Sequence, residues 1–239
     1  MAYLEHEANG QYGAARAAAR PMAVATQPTF EAFGAKLTKF GAHDVVYYEG
    51  DEARRLYQLA SGTIMLFKLL PDGRRQVVEI LRPGDIFGLS AGEEQDCTAE
   101  TLTEATVREV DLKQVEASVD LQRQLTKCLT NQMNILHEHA VLLGRKSAVE
   151  RVASFLMYLV PNRGGGVGCV GPDPSKSDDG CDLQLHMTRQ EIADYLGLTI
   201  ETVSRVVSDL KRRGVIRIDR SDKIHLNRIC GLCQMTGIH

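Results

Sequence analysis

The chain contains no run of about 18 apolar residues, the length a helix needs to cross a bilayer, so no segment reads as a membrane span. It also lacks a charged-then-apolar leader, because "MAYLEHEANG" is acidic and the stretch after it is interrupted by Arg16 and Arg20. The expected location is the cytoplasm. Cysteines are few and scattered, at 97, 128, 169, 181, 230 and 233, which suits free thiols in a reducing compartment better than a disulfide framework. Histidine is scarce where a cupin-like metalloenzyme would need it: between residues 42 and 120 only His43 occurs, so no enzyme is expected. A strong net charge is missing as well. The total of -3 divides into 12 Lys/Arg against 19 Asp/Glu in residues 1–120, 7 against 5 in 121–181, and 9 against 7 in 182–239. That small basic excess at the back does not establish a polyanionic partner, and the placement of the charges has to decide.

What is present points to an α+β chain of two modest domains, long enough at 239 residues and 44% hydrophobic to give each a core. Residues 1–28, rich in Ala and Gly and without an apolar period, read as a flexible tail, and a short helix is expected near Phe30. Between Ala42 and Leu112 the runs "DVVYY", "RLYQLA", "TIMLFKLL", "RQVVEI" and "ATVREVDL" alternate with "EGDE", "ASG", "PDG" and "RPGD". Turn chemistry at this spacing predicts an all-β roll, sandwich or barrel over 29–118.

A proline-free stretch comes next, Leu121 to Leu143, in which Leu129, Met133, Leu136, Ala140 and Leu143 keep 4-3-4-3 spacing. The seam fits a dimerisation helix over 119–145 or a face packed on its own β domain. After Gly144, "AVERVASFLMYLV" is expected to form another helix that runs to Pro161, and the Gly/Pro/Ser-rich residues 162–181 to form a flexible surface loop. CGLC, with Cys230 and Cys233, offers two of the four ligands a zinc site needs, so no metal is expected there.

The last unit, within 146–239, reads as strand, helix, tight turn, helix and a two-stranded wing. Thr188 and Glu191 have capping-box spacing, Gly197 turns the chain, and Thr199 can cap a second helix that ends at Gly214. At about 100° per residue from Glu201, Ser204, Arg205, Ser208 and Arg212 share one strip, and Val203, Val206, Val207 and Leu210 share the opposite face. Two helices joined at a glycine form a helix-turn-helix, whose second helix enters the major groove of double-stranded DNA. Arg205 can donate twice to a guanine, Glu201 can accept from a cytosine amine, and Ser204 leaves room for a thymine methyl. An ordinary solvated ion pair, Glu201 with Arg205 at i,i+4, is the competing reading. Thr188, Arg189 and Gln190 at the start of the first helix, with Thr199, Thr202 and Ser208 around the second, are the expected phosphate contacts. Lys211, Arg212 and Arg213 either extend them or offset the helix dipole.

"MTRQEIADYLGLTIETVSRVVSDLKRRGVI" resembles the winged helix-turn-helix of the CRP/FNR transcription regulators, and "GRRQVVEILRPGDIFGLS" is similar to their β-roll, a jelly roll of the cyclic-nucleotide-binding kind. The resemblance covers about 42–228. It implies a homodimer on a near-palindrome that works with RNA polymerase, most often as an activator. "IETVSR" looks like the FNR and FixK branch, where Glu201, Ser204 and Arg205 would read a TTGA-type half-site; the cyclic-AMP branch usually has Arg where this chain has Ile200 and Gly where it has Ser204. Nucleotide sites of the family carry a downstream Arg-Ser or Arg-Thr; here Cys97 and Thr98 lie in that neighbourhood, and no arginine lies between Arg82 and Arg108. The cysteines that hold the FNR iron-sulfur cluster have no counterpart before Cys97. The resemblance is therefore to FixK, a group without a recognised cofactor, and implies control of low-oxygen metabolism with no cofactor or small-molecule effector. Cys169 and Cys181 remain candidate redox thiols, whose oxidation would repel DNA.

Overall fold

The structure, a computed structural model, describes residue 30 and residues 35–160, 180–220 and 222–237. The front domain has eight strands: β1 (Lys36–Phe40), β2 (Val45–Tyr47), β3 (Arg55–Ser61), β4 (Ile64–Leu69), β5 (Arg75–Leu81), β6 (Ile86–Phe87), β7 (Thr98–Thr101) and β8 (Ala105–Asp111). They pair antiparallel in two four-stranded sheets, β1-β8-β3-β6 and β2-β7-β4-β5. The five apolar runs are β2, β3, β4, β5 and β8. The three strands the pattern missed have other means of burial. In "TAET", β7, Thr98 and Thr101 are buried because their hydroxyls accept from Glu49 N at 3.0 Å and Asp44 N at 2.9 Å. Strand β6 is two residues long, and β1 carries its Leu37 exposed.

The β4–β5 hairpin shows how local chemistry sets the roll. Its turn places Gly73 at φ 84°, where a side chain would be strained, and Leu70 and Arg74 close the loop by a 2.8 Å hydrogen bond. Beyond the turn, Ile64 and Leu81 point into the roll with Leu59, Ala99 and Val107, all fully buried. Tyr47, Tyr57 and Phe87 pack against one another among them, with ring centroids 5.2 to 6.0 Å apart. Met65, Phe67, Val77 and Ile80 face outward from the second sheet and belong to the core shared with the C-terminal unit.

Helix α1 (Leu112–Glu116), capped by Asp111, leads into α2 (Val119–Arg145). Helix α2 runs through Gly144 to Arg145, the span expected of it. A glycine in a last turn costs only about 1 kcal/mol; the chain turns at Lys146, which is extended, and Ser147 with Glu150 forms the capping box of α3 (Ala148–Tyr158). Strand β9 (Cys181–Gln184), helices α4 (Arg189–Leu196) and α5 (Ile200–Arg212), strands β10 (Ile216–Arg220) and β11 (Lys223–Leu226), and helix α6 (Ile229–Gln234) complete the chain. The wing has three strands, β10-β11-β9, not two. Cys181 opens β9 and is no part of a loop, whereas residues 1–28, the helix expected near Phe30, residues 162–179 and Cys169 lie outside the described residues. Phe30 itself is buried, and its N–H donates to Gln58 Oε1 at 3.0 Å.

Helix α2 lies on the roll by one face. Leu121, Gln132, His139 and Leu142 are buried there, with Leu125 and Cys128 partly covered. The apolar seam lies about 100° further round: Met133 and Leu136 are 49% and 42% exposed, Ala140 is exposed, and Leu129 and Leu143 are half-buried. The inward face thus carries its own 4-3-4-3 repeat, and the expected seam is not the face that packs on the roll.

One inward contact is pH-sensitive. Glu79 of β5 is buried against α2, accepting from Gln132 Nε2 at 3.2 Å; burial, with Asp85 adding, pushes its carboxyl up to about 7. A carboxyl raised from its ordinary 4.5 contributes stability in full at low pH and loses it as pH climbs to about 7 and above. The loss amounts to roughly 3 kcal/mol. Glu79→Gln keeps the acceptor for Gln132 and removes the charge. Its melting temperature should match wild type near pH 4.5 and exceed it at pH 8 by on the order of 10 °C; equal melting curves at pH 8 would mean the carboxylate is solvated.

Candidate nucleic-acid interface

Helix α4 begins with a closed capping box: Thr188 Oγ1 accepts from Glu191 N at 3.2 Å, and Glu191 Oε2 accepts from Thr188 N at 2.6 Å. The helix ends at Gly197 in the left-handed region, φ 60°, where a Cβ would come within 3.3 Å of Leu143. Thr199 then caps α5, accepting from Thr202 N at 3.3 Å. On α5, Val203, Val206, Val207 and Leu210 are buried in the core that holds Ile192, Ala193 and Leu196 of α4. Glu201, Ser204, Arg205 and Ser208 are exposed on the other side.

No ion pair joins Glu201 to Arg205 among the described residues. Arg205 Nη2 donates instead to Thr202 Oγ1 at 3.4 Å. The Glu201 carboxyl is held below the usual range first by its own backbone N–H, then by the Thr199 hydroxyl, with the Arg205 charge adding. Both side chains keep free donors and acceptors for an outside partner. Ser208 is turned to the Ser204 carbonyl at 2.8 Å. In the last turn Asp209 engages Arg212 and also Arg213 Nε at 2.7 Å, which leaves Lys211 as the basic residue there without an ion pair among the described residues.

At the start of α4, Thr188 is exposed. Arg189 is half-buried, and burial lowers its ionisation below the usual arginine value. Gln190 does not point outward freely: its amide donates to Asp194 Oδ1 at 2.7 Å, and Asp194 Oδ2 in turn accepts from Arg75 Nε at 2.9 Å. The expected phosphate contact is therefore tied to the roll through two hydrogen bonds.

Two further residues that the sequence reading passed over fix the interface in space. His139 of α2 bridges Val78 O at 3.0 Å and Tyr195 O at 2.9 Å, and its ring stacks on that of Tyr195 at 4.2 Å. Arg151 of α3 donates to Leu143 O at 2.7 Å, Lys146 O at 2.9 Å and Leu196 O at 2.9 Å. Arg151 satisfies carbonyls at helix ends, and His139 donates to a carbonyl on β5 or at the end of α4, so the groups that bolt the helix-turn-helix to α2 and to the roll also satisfy part of its backbone polarity. A histidine in "HEHA" gave no period that would single it out.

In the roll, burial, with Asp96 beside it, pushes the Cys97 thiol up to about 12. Thr98 spends its hydroxyl on Glu49 N.

A packed roll, a long helix and a winged helix-turn-helix whose second helix exposes a polar strip define a DNA-binding transcription regulator. Residues 150–235 match the Crp-like helix-turn-helix domain, and residues 37–120 match the cyclic nucleotide-binding domain. The chain is 39% identical over 173 residues to the nitrogen fixation regulation protein FixK of Rhizobium meliloti, covering 72% of this chain and 74% of that one. It is 33% identical to the transcriptional activatory protein AadR of Rhodopseudomonas palustris, over 77% of this chain and 74% of that one. The structure of FixK2 from Bradyrhizobium japonicum superposes with a TM-score of 0.72 at 32% identity, covering 86% of this chain and 98% of that one. The chain belongs to the CRP/FNR family of DNA-binding transcription regulators, with FixK proteins among its relatives. Among the described residues no helix is long and apolar enough to cross a membrane.

Proposed function

We propose that the chain acts as a homodimer that activates transcription from TTGA-type palindromes in concert with RNA polymerase, with FixK-like control of low-oxygen metabolism. The observation that carries this reading is the α5 strip, on which Glu201, Ser204 and Arg205 stand exposed and free of mutual pairing while four apolar residues anchor the helix from behind. Glu201 is repelled by phosphate, so its part is selection of a base; Arg205 supplies the fork that fits guanine. Thr188, Arg189, Thr199 and Thr202 lie at the two helix N-termini, where free amides and side chains meet phosphate. Gln190 joins them once it releases Asp194.

Activation without an effector is supported by the cluster of Tyr47, Tyr57 and Phe87, which packs inside the roll. The second reading makes a thiol the switch, and Cys181, on the wing strand β9 of the DNA-binding domain, favours it.

Selection of bound sequences from random DNA tests the whole reading. TTGA half-sites should emerge with centres about one helical turn, ~34 Å, apart, and binding of the selected site should weaken with salt at a log–log slope near -5, for about six neutralised phosphates. No sequence preference under reducing conditions and modest salt would end the proposal. Repeating the binding after mild peroxide separates the two readings, since unchanged affinity with an oxidised cysteine removes the thiol switch.

A further inference from the structure

The roll meets α4 through a second polar group beside the Arg75–Asp194 bond. His43, on the turn between β1 and β2, places Nδ1 3.3 Å from Glu100 Oε1 on β7 and 3.9 Å from Glu191 Oε1 on α4. These three atoms all lie within 4.8 Å of one another. Glu191 is 5% exposed. Its Oε2 is committed to the capping box, but its Oε1 accepts no hydrogen bond among the described residues and is turned toward His43. In a residue this covered, a carboxylate whose second oxygen has no donor is costly, and a cation is the partner that offsets it. Glu100 is mostly covered as well, and its other oxygen faces Arg75 Nη1 at 3.8 Å. His43 is exposed and leaves the group open to solvent on one side.

We infer that His43, Glu100 and Glu191 form a site for a first-row divalent metal ion that joins the roll to the first helix of the helix-turn-helix. One imidazole with two carboxylates suits Zn2+ and its neighbours, and the nitrogen ligand disfavours Mg2+ and Ca2+. Ligand atoms about 2.0–2.1 Å from a tetrahedral ion stand roughly 3.3 Å apart. The His43–Glu100 separation already has that value. Glu191 is reached by a small rotation of the exposed imidazole and of Glu100, and water completes the shell on the open side. Two ligands come from the roll and one from α4, so the ion clamps the DNA-binding unit in the orientation that the Arg75–Asp194 and His139 bonds already favour.

The test is calorimetric titration of Zn2+ into the metal-free, full-length protein, with His43→Ala and Glu100→Gln beside it. Neither substitution touches the α4 capping box, and comparison with His43→Ala subtracts any uptake by the thiols at 230 and 233. Wild type should take up one more ion per protomer than either variant, or bind it at least tenfold more tightly, and Mg2+ at equal concentration should give no such difference. In hydrogen exchange, Zn2+ should increase protection of the α4 amides in wild type and leave them unchanged in His43→Ala. Equal titrations of wild type and variants overturn the site, as does equal uptake of Mg2+; uptake without added protection of α4 overturns the clamp. Neither measurement uses DNA, so its outcome is independent of the operator reading.

Discussion

Arg205→Ala should lower the affinity of the dimer for a TTGA palindrome by about 1–3 kcal/mol per half-site, or roughly 30-fold and upward for the two together, and should relax the preference for guanine at the contacted position. Arg205 is exposed, and its hydrogen bond in the free protein is a long one to Thr202 at 3.4 Å, so truncation should leave the melting temperature unchanged. A lost fold is thereby separated from a lost contact. Two oxygen and nitrogen acceptors on the guanine edge need a rigid pair of donors, which a lysine does not supply. Arg205→Lys should accordingly keep binding to random DNA near wild type and still lose discrimination. Competition between the palindrome and the same duplex with guanine replaced at that position reads both effects. Equal losses on operator and random DNA would instead make Arg205 a phosphate contact.

The recognition helix was legible from the sequence because every signal in it is local. The capping threonines at 188 and 199, the glycine at 197 and the valine face of α5 act within a turn or two of chain, and each sits where spacing placed it. Helix and strand periods likewise exposed the five apolar strands. Illegible were the features that depend on residues far apart in the chain. Thr98 and Thr101 look like surface residues until the backbone amides of residues 49 and 44 arrive to bond them. His139, Arg151, Arg75 and Asp194 have no period; they matter because three separate elements present carbonyls or a carboxylate to them. The Glu201–Arg205 pair is the competing reading: i,i+4 spacing permits an ion pair, but Thr199 and Thr202, within a turn, engage the two groups instead.

Leu136→Glu should have the other large effect, because it acts on both half-sites at once. In the single chain Met133 and Leu136 expose about half and two-fifths of their surface on a helix whose other face is already satisfied by Glu79, Ile86 and the carbonyls of Val78 and Tyr195. A second copy of α2 is the partner proposed for this seam, and at a two-fold axis a carboxylate at 136 meets its own image across the interface. The expected result is a monomer at micromolar concentration by sedimentation, with the melting transition lowered only by loss of the dimer. Operator affinity should fall more than 100-fold, because half-site centres about 34 Å apart cannot be spanned by one 13-residue α5, about 20 Å long. Met133→Glu should behave alike, one turn away on the same strip. A Leu136→Glu protein that remains dimeric and binds the palindrome as wild type would move the interface off this seam, and would make these exposed side chains an incidental surface of a helix that serves only its own roll.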